Sequence, residues 1–288
     1  MGAWRDEFEA IGTRWIIDFD RLNSSDSTVL LAAIHKRIDA FDRNYSRFRK
    51  DSLVSQMAHR AGRYELPPNA FKMLQFFERL YRATNGLITP LIGQTLVDAG
   101  YDAEYSLRPQ QPAAAPKWED VIQYDAQSLT LSRPVLLDFG AAGKGYLVDL
   151  LVEIIRAAGV DNFTINAGGD IFRSGGPITV GLENPQNTTE AIGTIKVANQ
   201  SLCASSVSRR DWGKYHHIIN PETLASPRGI LSTWVLADDC MTADGLATAL
   251  FLVPPVALDE LKFGYAVLSA DMSLEQSSNF PAMVFTAV

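Results

Sequence analysis

The chain has 288 residues, enough to bury a substantial core in one large domain or in two lobes. Its apolar fraction of 47% and charged fraction of 20% are those of an ordinary globular protein, and a formal charge of -7 argues against nucleic-acid binding. No apolar run approaches the length of a membrane span, and residues 1–8 lack the hydrophobic core of a secretion signal. We therefore expect a cytoplasmic protein, unless a leader has been removed.

The N-terminal region predicts a strand followed by a helix. Aromatic and β-branched residues over 8–20 indicate the strand, in which Gly12-Thr13 would form a bulge or lie close to a ligand. The helix should be capped by Asp26 or Ser27 and run to about Asn44.

Apolar residues at helical spacing predict a second long helix, which begins after 66–68 (L-P-P) and ends at Asn85-Gly86. A short helix should follow Pro90. Residues 106–117 are rich in proline, alanine and glutamine and have neither a helical nor a strand period. This segment would either separate two lobes or form a long surface loop in a single domain spanning 1–288.

The stretch 138–149, D-F-G-A-A-G-K-G-Y-L-V-D, is the most informative part of the chain. The small residues at 140–143 and Gly145 would let the backbone approach a large anion at a helix start, with Lys144 as the local counter-charge. A tight strand-to-helix turn whose glycines serve packing alone explains the same pattern. The stretch is neither a Walker loop nor a dinucleotide-binding fingerprint. A helix is expected to continue over Tyr146 to Ala158.

The second half of the chain predicts many strands and one apolar helix. That helix covers 241–253, with Thr242 as its cap and Pro254-Pro255 as its stop. The cysteines, Cys203 and Cys240, fit a buried pair of thiols better than a disulfide framework. Because strands and helices mix without regular βαβ alternation, the predicted fold class is α+β. The predicted strands are 163–166, 178–183, 193–197, 217–219, 233–236, 265–268 and 283–285.

Three groups of residues have side chains that could take part in catalysis or bind a ligand. Asp244 and Thr248 lie four residues apart on a predicted helix, so they share one face and could offer hard oxygen ligands to Mg²⁺. An acid beside the helix dipole and a back-bonding threonine would give the same pattern. His216-His217 could take a proton from a hydroxyl or act as structural donors. Residues 166–170, N-A-G-G-D, could cradle a ligand or form a plain turn.

Seven segments between about Phe8 and Val253 add a further signal. In chain order they are F-E-A-I-G-T, Y-S-R-F-R-K-D-S, T-N-G-L-I-T-P-L-I-G, D-F-G-A-A-G-K-G-Y-L-V-D, N-A-G-G-D-I, H-I-I-N-P-E-T and C-M-T-A-D-G-L-A-T-A-L-F. Their order resembles that of the ApbE family, the FAD:protein FMN transferases or flavin transferases. The resemblance implies an ApbE-like (T-fold-like) architecture of mixed, largely antiparallel sheets flanked by helices, with a flavin cleft.

The resemblance also implies a Mg²⁺-dependent enzyme. Such an enzyme splits FAD, moves the FMN phosphoryl group onto a Ser or Thr hydroxyl of a client flavoprotein and releases AMP. Asp244 and Thr248 would be the metal side-chain ligands, joined by the backbone carbonyl of Ala141, and His217 matches the histidine proposed as general base. The positions that would contact FAD or line its cleft, with Phe48 placed to stack on a ring, are Phe48, Leu87, Ile88, Thr89, Asp138, Lys144 and Met241.

The chain departs from the usual family pattern at several positions. The family usually has Met at Ile11, Asp at Thr89, Ala at Gly143 and Asp at Asn220. Thr89 thereby removes a carboxylate from the flavin cleft, and Asn220 removes one beside the expected base. Three activities stay open: the FMN transferase, an FAD pyrophosphatase that yields FMN and AMP, and a protein that holds FAD without turnover.

Overall fold

The computed structural model describes residues 2–22 and 24–285. Every strand pair in this part of the chain is antiparallel, and helices flank the sheets, which confirms the α+β prediction. The strands are β1 (Gly2–Ala10), β2 (Thr13–Leu22), β3 (Gly62–Glu65), β4 (Ile122–Tyr124), β5 (Ser128–Leu131), β6 (Phe163–Ala167), β7 (Asp170–Ser174), β8 (Ile178–Asn184), β9 (Asn187–Val197), β10 (Gln200–Ser206), β11 (Asp211–Trp212), β12 (Tyr215–His216), β13 (Ile230–Ala237), β14 (Gly264–Ser269), β15 (Leu274–Gln276) and β16 (Met283–Val284). The helices are α1 (Ser24–Tyr45), α2 (Leu53–Met57), α3 (Ala70–Ala83), α4 (Gly93–Asp98), α5 (Trp118–Val121), α6 (Gly143–Ala157) and α7 (Cys240–Ala249).

The largest sheet has eight strands in the order β1-β2-β6-β7-β10-β13-β14-β15. Helix α7 packs on β10 and β13, and α6 packs between α7 and α1. Smaller sheets have the orders β3-β5-β4, β16-β9-β8 and β11-β12. No helix in the described ranges is both long enough and apolar enough to cross a membrane.

Successive side chains of a strand point to opposite faces of the sheet. The central strands carry apolar side chains on both faces, and both faces are covered. On β13, Val235 belongs to the main core beneath the helices, whereas Trp234 and Leu236 belong to a second core formed with β8 and β9. On β10, Cys203 and Leu202 divide in the same way. The sheet therefore serves as a rigid base for α6 and α7.

The single strand expected over 8–20 is wrong, because the chain reverses at Ile11-Gly12 and forms the hairpin β1–β2. Ile11 and Gly12 have φ values of 50° and 68°, the left-handed pair of a type I′ turn. Because isoleucine rarely adopts positive φ, the sequence Ile11-Gly12 does not indicate a turn.

Two predicted helix caps are also wrong. Helix α1 begins at Ser24, so Asp26 and Ser27 lie inside it, and Asn23 is outside the described residues. Helix α7 is capped by Asp239, whose carboxylate accepts the Thr242 N–H at 2.8 Å. Asp239 is the better cap because a carboxylate at this position accepts N–H groups that have no partner in the first turn.

The remaining element predictions agree with the structure in most places, but α7 ends at Ala249 and not at the predicted Val253 before Pro254-Pro255. Helix α3 ends before Asn85 and Gly86, which both have positive φ, and residues 106–117 form neither helix nor strand. The strand expected at 217–219 is instead the short β12, which ends at His216. Cys203 and Cys240 are free, buried thiols with their sulfur atoms 3.3 Å apart, as predicted.

Candidate active site

A cavity of about 260 Å³ lies where α6 and α7 meet the segment after α1 and the loop after β12. Every residue that the sequence predicts for the site lines this cavity, with the exception of Met241. Met241 is buried in the first turn of α7, where its backbone N–H donates to Asp149 at 2.9 Å. The predicted residues that line the cavity are Phe48, Leu87, Ile88, Thr89, Asp138, Ala141, Lys144, His217, Asp244 and Thr248.

The close approach of α6 and α7 depends on Gly145. A Cβ atom at this position would lie 2.7 Å from the Cβ of Asp244 and closer still to the carbonyl oxygen of Cys240. The Gly145 N–H donates to Asp244 Oδ2 at 2.8 Å, so the glycine both admits the neighbouring helix and fixes its carboxylate. Burial raises the pKa of Asp244, and the charge of Lys144 opposes that rise.

Oxygen atoms from α7 and from the turn before α6 face the cavity together. The Thr248 hydroxyl donates to the carbonyl oxygen of Ala141 at 3.3 Å, which brings two of the three predicted ligands side by side. Asp244 Oδ2 is held by Gly145, which leaves Oδ1 as the oxygen free to face a ligand. No cluster of three His, Cys, Asp or Glu side chains suited to a metal occurs among the described residues. The donors present here are all oxygen, which fits a hard cation that keeps several waters.

Lys144 lies between two buried carboxylates. Its ammonium forms an ion pair with Asp170 and is 4.0 Å from Asp244 Oδ1. Asp170 is only 1% exposed and begins β7 directly after the Gly168-Gly169 turn. The segment N-A-G-G-D indicated this turn, but only the fold places its aspartate against Lys144.

His217 lines the cavity and begins the loop after β12. Burial, together with the positive charges of Arg210 and Lys144, lowers the pKa of His217 to about 3. Its Nδ1 is closed off from solvent and has no hydrogen-bond partner among the described residues. The imidazole is therefore neutral near neutral pH and able to accept a proton.

The neighbouring His216 is structural. It is fully buried, its Nε2 lies 2.7 Å from the Pro227 carbonyl oxygen, and its Nδ1 accepts the Ile218 N–H at 3.2 Å. This bonding assigns the proton to Nε2 and holds the loop that carries His217. Asn220 holds the same loop, because its side-chain oxygen accepts the N–H groups of Glu222 and Thr223.

An aromatic and charged cluster forms another part of the wall. Phe48 stacks on Tyr105, with ring centroids 5.3 Å apart and planes 9° apart, and the Arg47 guanidinium carbon is 4.2 Å from the centre of the Phe48 ring. Arg47 is buried, forms an ion pair with Asp138 and donates to the Tyr101 carbonyl at 2.7 Å. Arg47 was not predicted as a site residue, because nothing in Y-S-R-F-R-K distinguishes it from the half-exposed Arg49.

Thr89, the last residue of the predicted segment Leu87 to Thr89, has a structural role. Its hydroxyl accepts the Leu91 N–H at 3.2 Å and caps a short 3₁₀ helix over Pro90–Ile92. Ile88 is tied to the end of α3 through the Thr84 hydroxyl, which accepts the Ile88 N–H at 2.9 Å. The segment Leu87 to Thr89 is therefore a firmly held part of the cavity wall.

Known proteins share both the sequence pattern and the fold of this chain. The profile of the ApbE family matches residues 11–263. The FAD:protein FMN transferase of Vibrio cholerae is 24% identical over 254 residues, 80% of this chain and 75% of that protein. The FAD:protein FMN transferase of Rhodobacter capsulatus is 30% identical over 218 residues, 69% of this chain and 41% of the relative.

Solved structures agree in fold. The flavin transferase ApbE from Vibrio cholerae superimposes with a TM-score of 0.80 at 20% identity, covering 96% of this chain and 98% of the other. The ApbE protein from Thermotoga maritima gives a TM-score of 0.84 at 21% identity, covering 96% and 97%. The similarity inferred from the seven segments is confirmed: this chain is a member of the ApbE family.

Proposed function

We propose that this chain is an FAD:protein FMN transferase that uses Mg²⁺ to move the FMN phosphoryl group of FAD onto a Ser or Thr hydroxyl of a client flavoprotein, releasing AMP. The observation that carries the proposal is the convergence at one cavity of Asp244, Thr248, the Ala141 carbonyl and Lys144. The family relatives named FAD:protein FMN transferase support the choice of FAD as substrate.

One set of site residues would neutralise the charge of the substrate, and a separate residue would accept a proton. Asp244, Thr248 and the carbonyl of Ala141 would hold Mg²⁺, which would neutralise charge on the diphosphate while a hydroxyl attacks it. Lys144 adds a positive charge beside the same cavity, and the N-terminus of α6 at Gly143 favours an anion there.

His217 would accept the proton of the attacking hydroxyl. Burial and nearby positive charges hold the pKa of His217 low, which makes it a weak base. A bound diphosphate would offset the charges of Lys144 and Arg210, and so raise the pKa of His217 toward the range in which a general base is effective.

The test separates the three activities that the sequence leaves open. Purified protein would be incubated with FAD and Mg²⁺, and AMP followed by chromatography, while the intact mass of co-expressed candidate flavoproteins is measured. AMP release with a client mass gain equal to one FMN phosphoryl group supports the transferase. AMP and free FMN without any mass gain would indicate a pyrophosphatase, and bound FAD without AMP would indicate a binding protein.

A further inference from the structure

The oxygen of Asp244 that would bind a metal ion lies near a cation of the protein itself. Asp244 Oδ2 accepts the Gly145 N–H at 2.8 Å, so Oδ1 is the oxygen left to bind a cation. The Lys144 ammonium is 4.0 Å from that same Oδ1. A short movement of the flexible lysine side chain would close this distance, and the ammonium would then compete with a metal ion for Oδ1.

Asp170 provides the alternative partner that prevents this movement. Its carboxylate is 1% exposed and forms an ion pair with the Lys144 ammonium. Asp170 does not line the cavity, whereas Lys144 and Asp244 do. Asp170 is the first residue of β7 in the central sheet. It therefore holds the Lys144 ammonium from a position outside the cavity lining.

We propose that Asp170 is a positioning residue that holds Lys144 away from Asp244 Oδ1, and so keeps this oxygen available to a divalent cation. The inference rests on the proposed function, because it presumes that Asp244 is a metal ligand. Breaking one side of a buried charge pair leaves the other charge to find a new partner, and the Asp244 carboxylate lies 4.0 Å from Lys144.

Mn²⁺ binding to the nucleotide-free protein tests the proposal without turnover. Mn²⁺ accepts the same oxygen ligands as Mg²⁺, and its free concentration is measured by electron paramagnetic resonance. We expect Asp170→Asn to weaken Mn²⁺ binding about tenfold, because the released ammonium pairs with Oδ1. Lys144→Met should bind Mn²⁺ at least as tightly as the wild type, since no ammonium competes.

The double variant Asp170→Asn/Lys144→Met shows whether Asp170 acts through Lys144. We expect it to bind Mn²⁺ as Lys144→Met does, because a positioning residue has no effect once the group that it positions is gone. An equal loss from Asp170→Asn in both backgrounds would overturn the proposal and make Asp170 a direct ligand or a structural residue.

A matched control comes from a second ion pair that involves β7, in which the carboxylate belongs to β2. Asp20 pairs with Arg173 of β7 at 2.8 Å and does not line the cavity, so Asp20→Asn should leave Mn²⁺ binding unchanged. If Asp170→Asn does not fold, weaker binding by Lys144→Met alone would still overturn the proposal. Absence of Mn²⁺ binding by the wild type would overturn the metal-dependent function as well, whereas wild-type binding that Asp170→Asn leaves intact would overturn only the role of Asp170.

Discussion

The Asp149 carboxylate accepts the backbone N–H of Met241 at 2.9 Å and so ties α6 to the first turn of α7. The other oxygen of Asp149 accepts the Cys240 N–H at 2.8 Å, while Asp239 caps the same turn through Thr242. These acceptors occupy N–H groups that an isolated helix would leave without partners. The helix that carries Asp244 and Thr248 is thus held at its N-terminus by two carboxylates.

This attachment should be sensitive to pH. Burial, together with the negative charge of Asp239, raises the pKa of Asp149 to about 7, whereas an unfolded aspartate titrates near pH 3.9. The folded protein then binds a proton that the unfolded chain has lost, so the stabilising contribution is lost as the pH rises through about 7. We expect the free energy of unfolding of the wild type, relative to Asp149→Asn, to fall between about pH 4 and pH 7 in urea titrations. A constant difference over this range would contradict the assignment.

The titration of His217 should change the free energy of unfolding with pH in the opposite direction. Its folded pKa of about 3 lies below the value near 6.5 of an unfolded histidine, so the unfolded chain gains a proton first as the pH falls. We expect the free energy of unfolding to drop as the pH is lowered from about 6.5 toward 3, and His217→Gln to reduce that slope. An unchanged slope in His217→Gln would contradict the low pKa of His217.

Gly145→Ala should separate α6 from α7. The added Cβ would overlap the carbonyl oxygen of Cys240 and the Cβ of Asp244, and overpacking of this kind costs about 1–3 kcal/mol. We expect urea unfolding to show that loss, and AMP release from FAD to fall because Asp244 moves. Gly176→Ala is the matched control, since a Cβ added there would meet no atom within 4 Å, and it should change the free energy of unfolding by less than about 0.5 kcal/mol.

Asp244→Asn should abolish metal-dependent turnover while the fold survives. The amide keeps the shape of the carboxylate but lacks its charge, and we expect AMP release to fall by about 10²-fold or more. FAD binding without Mg²⁺, measured by flavin fluorescence, should persist. Asp239→Ser on the same helix retains a capping oxygen and should leave AMP release near the wild-type rate. Unchanged AMP release by Asp244→Asn would remove this residue from the ligand set.

Arg47→Gln should destabilise the protein far more than Arg49→Gln. Arg47 and Asp138 form a buried ion pair, and removing one partner of such a pair costs about 3–5 kcal/mol. Arg49 pairs with Asp42 and Asp51 nearer the surface, where such a contact contributes about 0–1 kcal/mol. The comparison requires urea unfolding of the two variants under one set of conditions. Equal losses would show that the Arg47 pair is no more important than a surface contact.

Some features of this protein follow from local sequence alone. The helical spacing of Asp244 and Thr248 is sufficient to place both side chains on one face, and Asn85-Gly86 marks the end of α3 because both residues adopt positive φ. The hairpin at Ile11-Gly12 escaped the same reasoning, because β-branched side chains normally disfavour the left-handed conformation found there. Local rules succeed where one conformation is strongly preferred, and fail where the rest of the fold imposes a rarer one.

The chain by itself determined the α+β class, the small-residue stretch before α6 and the order of segments that marks the family. Only the tertiary structure decided which partners these residues meet: Asp170 against Lys144, Asp138 against Arg47, and the Gly145 N–H on Asp244. Periodicity and turn chemistry act over a few residues and are readable in sequence. A buried charge, in contrast, takes its partner from whichever distant element packs beside it, and that choice exists only after the chain has folded.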